Sequence, residues 1–183
     1  VGFMSGMRSE DLESGVEKVL DGGLHIQEYR MLEVVSSEGE TRTAINDAVL
    51  LKKRPHQIVS VDVAVNGEDL VSYQCDGVIA ATPLGSTAYA LSAGGPLISG
   101  DVACFVIVPI APHSLVSRPL VLGADQVVEL RVKEREALLS LDGGDPEQIP
   151  AGEHLSVGLG QESVRIGRTD DWTWWRAVRG TFL

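Results

Sequence analysis

The chain has 183 residues, 44% of them hydrophobic and 22% charged, with a formal net charge of -11. That length and apolar content suit one globular domain able to bury its own core. The acidic balance argues against non-specific binding to nucleic acid or to an anionic membrane surface, both of which need clustered Lys and Arg.

The opening Val1-Gly2-Phe3-Met4 is apolar and reads as the middle of a longer chain. Ser9 is placed to cap a helix, and Glu10 and Asp11 suit its first turn. Leu12, Val16, Val19 and Leu20 recur at helical spacing and make one apolar face, which Gly22-Gly23 ends. Nearly everything after that reads as strand. HIQEYRMLEVV, INDAVLLK, IVSVDVAV, LVSYQC, VIAAT, CFVIVPI, QVVELRV, ALLSLD, HLSVGLG and SVRIGR are short, rich in β-branched residues and punctuated by turn residues. Val59, Val61, Val63 and Val65 alternate with Ser60, Asp62 and Ala64, and Asn66-Gly67 then supplies a tight hairpin turn. The predicted class is mainly β: a sandwich-like domain of about ten or more short strands. One amphipathic helix stands near its start, and a short helix follows the GSTAY turn. The tail TDDWTWWRAVRGTFL holds all three tryptophans and is expected to pack against the core or a partner subunit. Cys75 and Cys104, 29 residues apart in apolar surroundings, read as buried reduced thiols of a cytoplasmic protein in preference to a disulfide. No apolar run reaches the ~18 residues of a membrane span, and no signal-peptide pattern opens the sequence.

The stretch DGVIAATPLGSTAYALSAGGPLI, residues 76–98, is the main candidate for chemistry. A strand enters a Pro83-Leu84-Gly85 turn, and Ser86 or Thr87 is placed to cap a short helix that Gly94-Gly95 stop. The free N–H groups of such a helix start suit polar or anionic ligand atoms, and Tyr89 offers a face for a base. A capped helix with no ligand fits the same residues. Asn46-Asp47, inside an otherwise apolar strand, could hold a ribose diol or could satisfy local backbone at a bulge. Asp76-Gly77 is either a plain turn or a ligand acceptor, and Asp142-Gly143-Gly144 most simply closes a hairpin. His25, His56, His113 and His154 show no metal spacing. His113-Ser114 lacks the nucleophile elbow of a hydrolase.

Taken together, Asn46-Asp47, a 28-residue interval, DGVIAATPLGSTAYALSAGGP and PIAPHSLVSRPLVL resemble bacterial-type NAD kinase. The opening VGFM is similar to the stretch by which that family enters its second domain, and the match extends from Val1 to about Gly144. The resemblance implies phosphoryl transfer from ATP, or polyphosphate, to the 2′-hydroxyl of the adenosine ribose of NAD, giving NADP with the help of Mg²⁺ or another divalent metal. It implies one β-rich NAD-binding domain over residues 1–183, with 1–23 the remnant of a connection to an amino-terminal α/β domain. It also implies that Asn46 and Asp47 hold the adenosine ribose and base, and that Thr87, Ala88, Tyr89 and Ser92 line the adenine pocket. Asp76 matches an aspartate that contacts the nicotinamide end, often from a neighbouring subunit, and Ala111 matches a backbone contact. Gln57 and Gln74 fall near further NAD contacts. A homodimer or homotetramer that binds NAD or NADP, and neither nucleic acid nor membrane, is the implied assembly.

Two departures matter. Where relatives have Asp-Gly-Gln, this chain has Asp142-Gly143-Gly144, and the family's Gly-Gly-Asp-Gly-Thr run is absent. That run carries the carboxylate expected at the acceptor hydroxyl. The expectation is therefore an NAD-binding domain inactive by itself, with no catalytic residue of its own. A non-catalytic NAD or NADP sensor is the alternative. A lipid-kinase relative fits less well, because the adenine-pocket residues match and no greasy or basic lipid-facing surface is evident.

Overall fold

A computed structural model describes residues 12–114, 117–170 and 172–182. The chain divides into two compact units, Val1–Tyr29 with Val164–Leu183, and Arg30–Ser163. The first holds α1 (Leu12–Leu20) and α3 (Trp174–Phe182). The expected Ser9 cap, with Glu10, Asp11 and the opening four residues, lies outside the described residues. Helix α1 ends as predicted, with Gly22 at φ +76° and the Gly23 N–H donating to the Lys18 carbonyl at 2.9 Å. Its Leu12, Val16, Val19 and Leu20 are exposed, and Gly15 is its buried residue. Helix α3 was not foreseen, because Trp, Thr and Phe favour strands locally. Thr173 starts it, its hydroxyl accepting from the Arg176 N–H at 3.2 Å. Val178 is its buried residue, and Trp175 is 72% exposed.

The strands form two six-stranded antiparallel sheets. In chain order they are β1 (Leu24–Ser36), β2 (Thr41–Ala44), β3 (Asp47–Lys52), β4 (Val59–Val65), β5 (Glu68–Cys75), β6 (Gly77–Ala81), β7 (Cys104–Ile110), β8 (Leu120–Gly123), β9 (Val128–Val132), β10 (Ala137–Leu141), β11 (Glu147–Ile149) and β12 (His154–Thr169). One sheet runs β2-β1-β12-β9-β4-β5, the other β11-β10-β3-β6-β7-β8. The mainly β, sandwich-like class is as predicted; the short β2, β8 and β11 lie outside the predicted segments, and two predicted boundaries change. INDAVLLK breaks at Ile45-Asn46, so that β3 begins at Asp47. HLSVGLG and SVRIGR join across the polar Gln161-Glu162 into the single 16-residue β12. The valine alternation of β4 holds through Val63 and then slips at a bulge, which buries Ala64 beside it. Asn66 and Gly67 both take positive φ, as the predicted turn requires.

Alternation along β3, β6 and β7 explains where the core sits. Leu50, Val78, Ala80, Phe105 and Ile107 point between the sheets, where they meet Val61, Val63, Leu130 and Leu155. Val49, Ile79, Ala81, Val106 and Val108 point the other way, into a second cluster with Ala90 and Ile98. The β3-β6-β7 centre is thus apolar on both faces, which is why its strands read as continuous apolar runs without alternation. Both cysteines are buried and free, and burial pushes the Cys75 thiol up to about 11. Among the described residues no helix is long and apolar enough to cross a membrane. Ile79 is fully buried in the second cluster, and Ile79→Ala is expected to cost about 2–5 kcal/mol, read as a lower urea midpoint at unchanged slope.

Candidate functional site

Every candidate residue lies in the Arg30–Ser163 unit, and the sheet sorts them into two groups. The first group forms where β3 begins. Asn46 and Asp47 meet the turn after β6, because Asp47 pairs with Ala81 in the ladder. The Thr82 N–H donates to the Asn46 carbonyl at 2.9 Å, and the Thr82 hydroxyl donates to the Ile45 carbonyl at 2.7 Å. Gly85 is in closer contact still: a Cβ there would lie 2.0 Å from the Asn46 carbonyl oxygen, so only glycine admits this approach.

The other side of the same segment is held by Asp142. Its carboxylate accepts from the backbone N–H groups of Ile45 and Asn46, each at 2.7 Å, and of Asp47 at 3.1 Å. Asp142 takes φ +50°, a conformation that Asp tolerates better than most residues. The Asp142-Gly143-Gly144 turn does join β10 to β11 as a hairpin. It also fixes the Asn46-Asp47 backbone, which the sequence reading missed. The Asp47 side chain is 6% exposed and points with Val49 toward the second cluster. Burial, and then the neighbouring Asp142 charge, push its carboxyl up to about 6.

The GSTAY segment is a single 3₁₀ turn, Gly85–Thr87, followed by α2 (Tyr89–Ser92). The expected hydroxyl cap is not formed. Ala88 is the N-cap of α2, without a side-chain hydrogen bond. Ser86 is buried and donates instead to the Pro83 carbonyl at 2.6 Å, while its oxygen accepts from the Ile98 N–H at 3.1 Å. Thr87 donates to the Leu84 carbonyl at 3.1 Å. Hydroxyls three residues past a carbonyl satisfy the tight turn before the helix can use them. Ala88, Tyr89 and Ser92 are exposed, with Tyr89 at 43%, and Ala90 anchors α2 in the second cluster.

The second group forms at the far end of β3, about 17 Å away at ~3.3 Å per residue. The Lys52 N–H donates to the Asp76 carbonyl, and the Asp76 N–H donates to the Ile110 carbonyl, both at 2.9 Å. Asp76 therefore stands between the ends of β3 and β7, with Ala111 next along the chain. Ala111 has φ +44°, a left-handed conformation unusual for alanine and of the kind that clusters at binding sites. Gln74 accepts from the His113 N–H through its carbonyl at 2.8 Å, and Gln57 lies in the β3–β4 turn. Lys52, which the sequence reading did not select, pairs its ammonium with the Asp76 carboxylate at 2.6 Å. Lys52 alternates with Leu50 of the inter-sheet core, whereas Asp47 alternates with Val49, so the two groups also belong to opposite faces of the sheet. Among the described residues, no group of three or more His, Cys, Asp or Glu could hold a metal ion, and none is assigned to one.

Fold and site define a class: a β-sandwich domain whose central ladder carries one polar group at each end. Comparison with known proteins narrows it. Residues 45–169 match the family described as ATP-NAD kinase C-terminal domain. An NAD kinase of Symbiobacterium thermophilum is 37% identical over 98% of this chain and 65% of its own length. One from Sulfurimonas denitrificans is 34% identical over 98% of this chain and 64% of its own length. The chain thus spans slightly less than two thirds of these relatives. A crystal structure of yeast NADH kinase complexed with NADH superposes with a TM-score of 0.89 at 27% identity, covering 98% of this chain and 55% of that one. An Archaeoglobus fulgidus NAD kinase in complex with ATP gives a TM-score of 0.82 at 25% identity, over 99% and 68%. The chain belongs to the ATP-NAD kinase family and matches its C-terminal domain.

The raised Asp47 carboxyl has a sign that can be checked. The folded state holds this proton more tightly than the unfolded chain does. Its contribution to stability is therefore full below the ordinary carboxylate range, near pH 4, and is lost as pH rises through about 6. Carbon-detected NMR should find Asp47 titrating near 6. Asp142→Asn should move that titration down part of the way, since burial remains.

Proposed function

We propose that this chain is the dinucleotide-binding part of an NAD kinase and that it grips the adenosine half of NAD at the start of β3. One observation carries the reading: the Asn46-Asp47 backbone is fixed by Asp142 on one side and, on the other, meets Gly85 at the turn that leads into the exposed Ala88, Tyr89 and Ser92. A carboxamide and a carboxylate suit a ribose diol, and an exposed aromatic face suits a purine. Asp76 and Ala111 take the nicotinamide end. The two groups stand a strand length apart on opposite faces of one sheet, which favours a site completed by a second copy of the chain. The complexes of the two solved relatives with NADH and with ATP support the same substrates here.

In the whole protein this pocket presents the adenosine 2′-hydroxyl to ATP. The oxygen bonds to the γ-phosphorus as the bond to ADP breaks, and the hydroxyl proton leaves to a base. The chain has no Gly-Gly-Asp-Gly-Thr run to supply that base, so on its own it binds and does not phosphorylate.

Calorimetry with NAD tests the pocket. Asn46→Ala or Asp47→Ala should weaken binding by about 1.5–3 kcal/mol, tenfold or more, and affinity unchanged within twofold would sink the assignment. Incubating the chain with NAD, ATP and Mg²⁺ tests the chemistry. NADP formed at ordinary kinase rates, ~1–100 s⁻¹, would show that the chain carries its own base.

A further inference from the structure

We infer that Lys52 sets how the nicotinamide end of the site discriminates oxidised from reduced dinucleotide. The inference rests on the reading above, that Asp76 meets the nicotinamide end. The two redox forms differ there by one charge, the oxidised ring being cationic and the reduced ring neutral. A carboxylate alone at this point would attract the cation and so favour NAD⁺. In this chain the carboxylate is not alone: the Lys52 ammonium sits 2.6 Å from Asp76 Oδ1.

The pair is only partly open to water, with the Lys52 and Asp76 side chains 22% and 36% exposed. Solvent and salt therefore screen it less than a fully exposed pair. Backbone hydrogen bonds hold both residues in register. The Lys52 N–H donates to the Asp76 carbonyl, and the Asp76 N–H donates to Ile110. The ammonium therefore stays where a ring seated against Asp76 meets it. The pair has no net charge, so Asp76 retains an acceptor for the carboxamide N–H groups while the attraction for the cationic ring is cancelled. NADH is thereby admitted on equal terms with NAD⁺. The Lys52 contact is electrostatic, and a substitution that keeps the charge should keep the selectivity.

The experiment is calorimetric titration of the 183-residue chain with NAD⁺ and, separately, with NADH. It compares the wild type with Lys52→Met, Lys52→Arg and Asp76→Asn, with thermal melts to confirm folding. Removing a unit charge beside the ring should change the affinity ratio roughly threefold to tenfold. Lys52→Met is expected to shift the ratio toward NAD⁺, Lys52→Arg to leave it as in the wild type, and Asp76→Asn to shift it toward NADH. A folded Lys52→Met chain that binds both forms at the wild-type ratio overturns the role of Lys52 and leaves the pocket standing. So does a Lys52→Arg chain that shifts as far as Lys52→Met. If the wild type binds neither form, the pocket assignment falls and takes this inference with it.

Discussion

The contact on which the site depends is backbone against backbone, where Gly85 meets the Asn46 carbonyl. No side chain fits between them. The turn after β6 and the segment before β3 therefore form one piece, sealed by the Thr82 hydrogen bonds to residues 45 and 46. Asp142 closes the same segment from the β10–β11 turn, with three N–H groups on one carboxylate. Residues 45–47 are short and irregular, yet nearly every backbone group in them has a fixed partner. That is how a break in a strand becomes a segment rigid enough to fix the part-exposed Asn46 and the buried Asp47 in place.

The chain places this surface on its best-buried support. Because β3, β6 and β7 are apolar on both faces, the second cluster provides a floor for α2, and the buried Ser86 ties residue 98 back to the turn. A four-residue helix has no stability in isolation. Here it is held by Ala90 below and by the 3₁₀ turn before it, which leaves the side chains of Tyr89 and Ser92 exposed.

How much of this could be read from the sequence depends on the range of each interaction. Strands with sharp turn residues, such as Val59–Val65 with Asn66-Gly67, were legible because their signal is local. The special character of residues 76–98 and of Asn46-Asp47 was legible as well, since Gly, Pro and hydroxyl residues in apolar surroundings stand out. The expected hydroxyl cap is absent because the helix begins at its N-cap Ala88, one residue past Thr87, with the Ser86 and Thr87 hydroxyls bonded inside the tight turn. Asp142 and Lys52 were missed for a different reason. Their partners lie 95–97 and 24 residues away, and nothing near either residue marks the pairing. Helix α3 was hidden by tryptophans that favour strands elsewhere.

The buried carboxyl of Asp47 has a thermodynamic consequence for occupancy. Near pH 6 about half of these groups carry a proton. Under the proposed function, a ribose diol that donates to the carboxylate requires the ionised form, so binding near that pH releases about half a proton per site on average. The heat of association then includes the protonation enthalpy of the buffer, and near pH 6 it should differ between phosphate and bis-Tris. The proposed dinucleotide site would in this way be coupled to acidity without any histidine taking part.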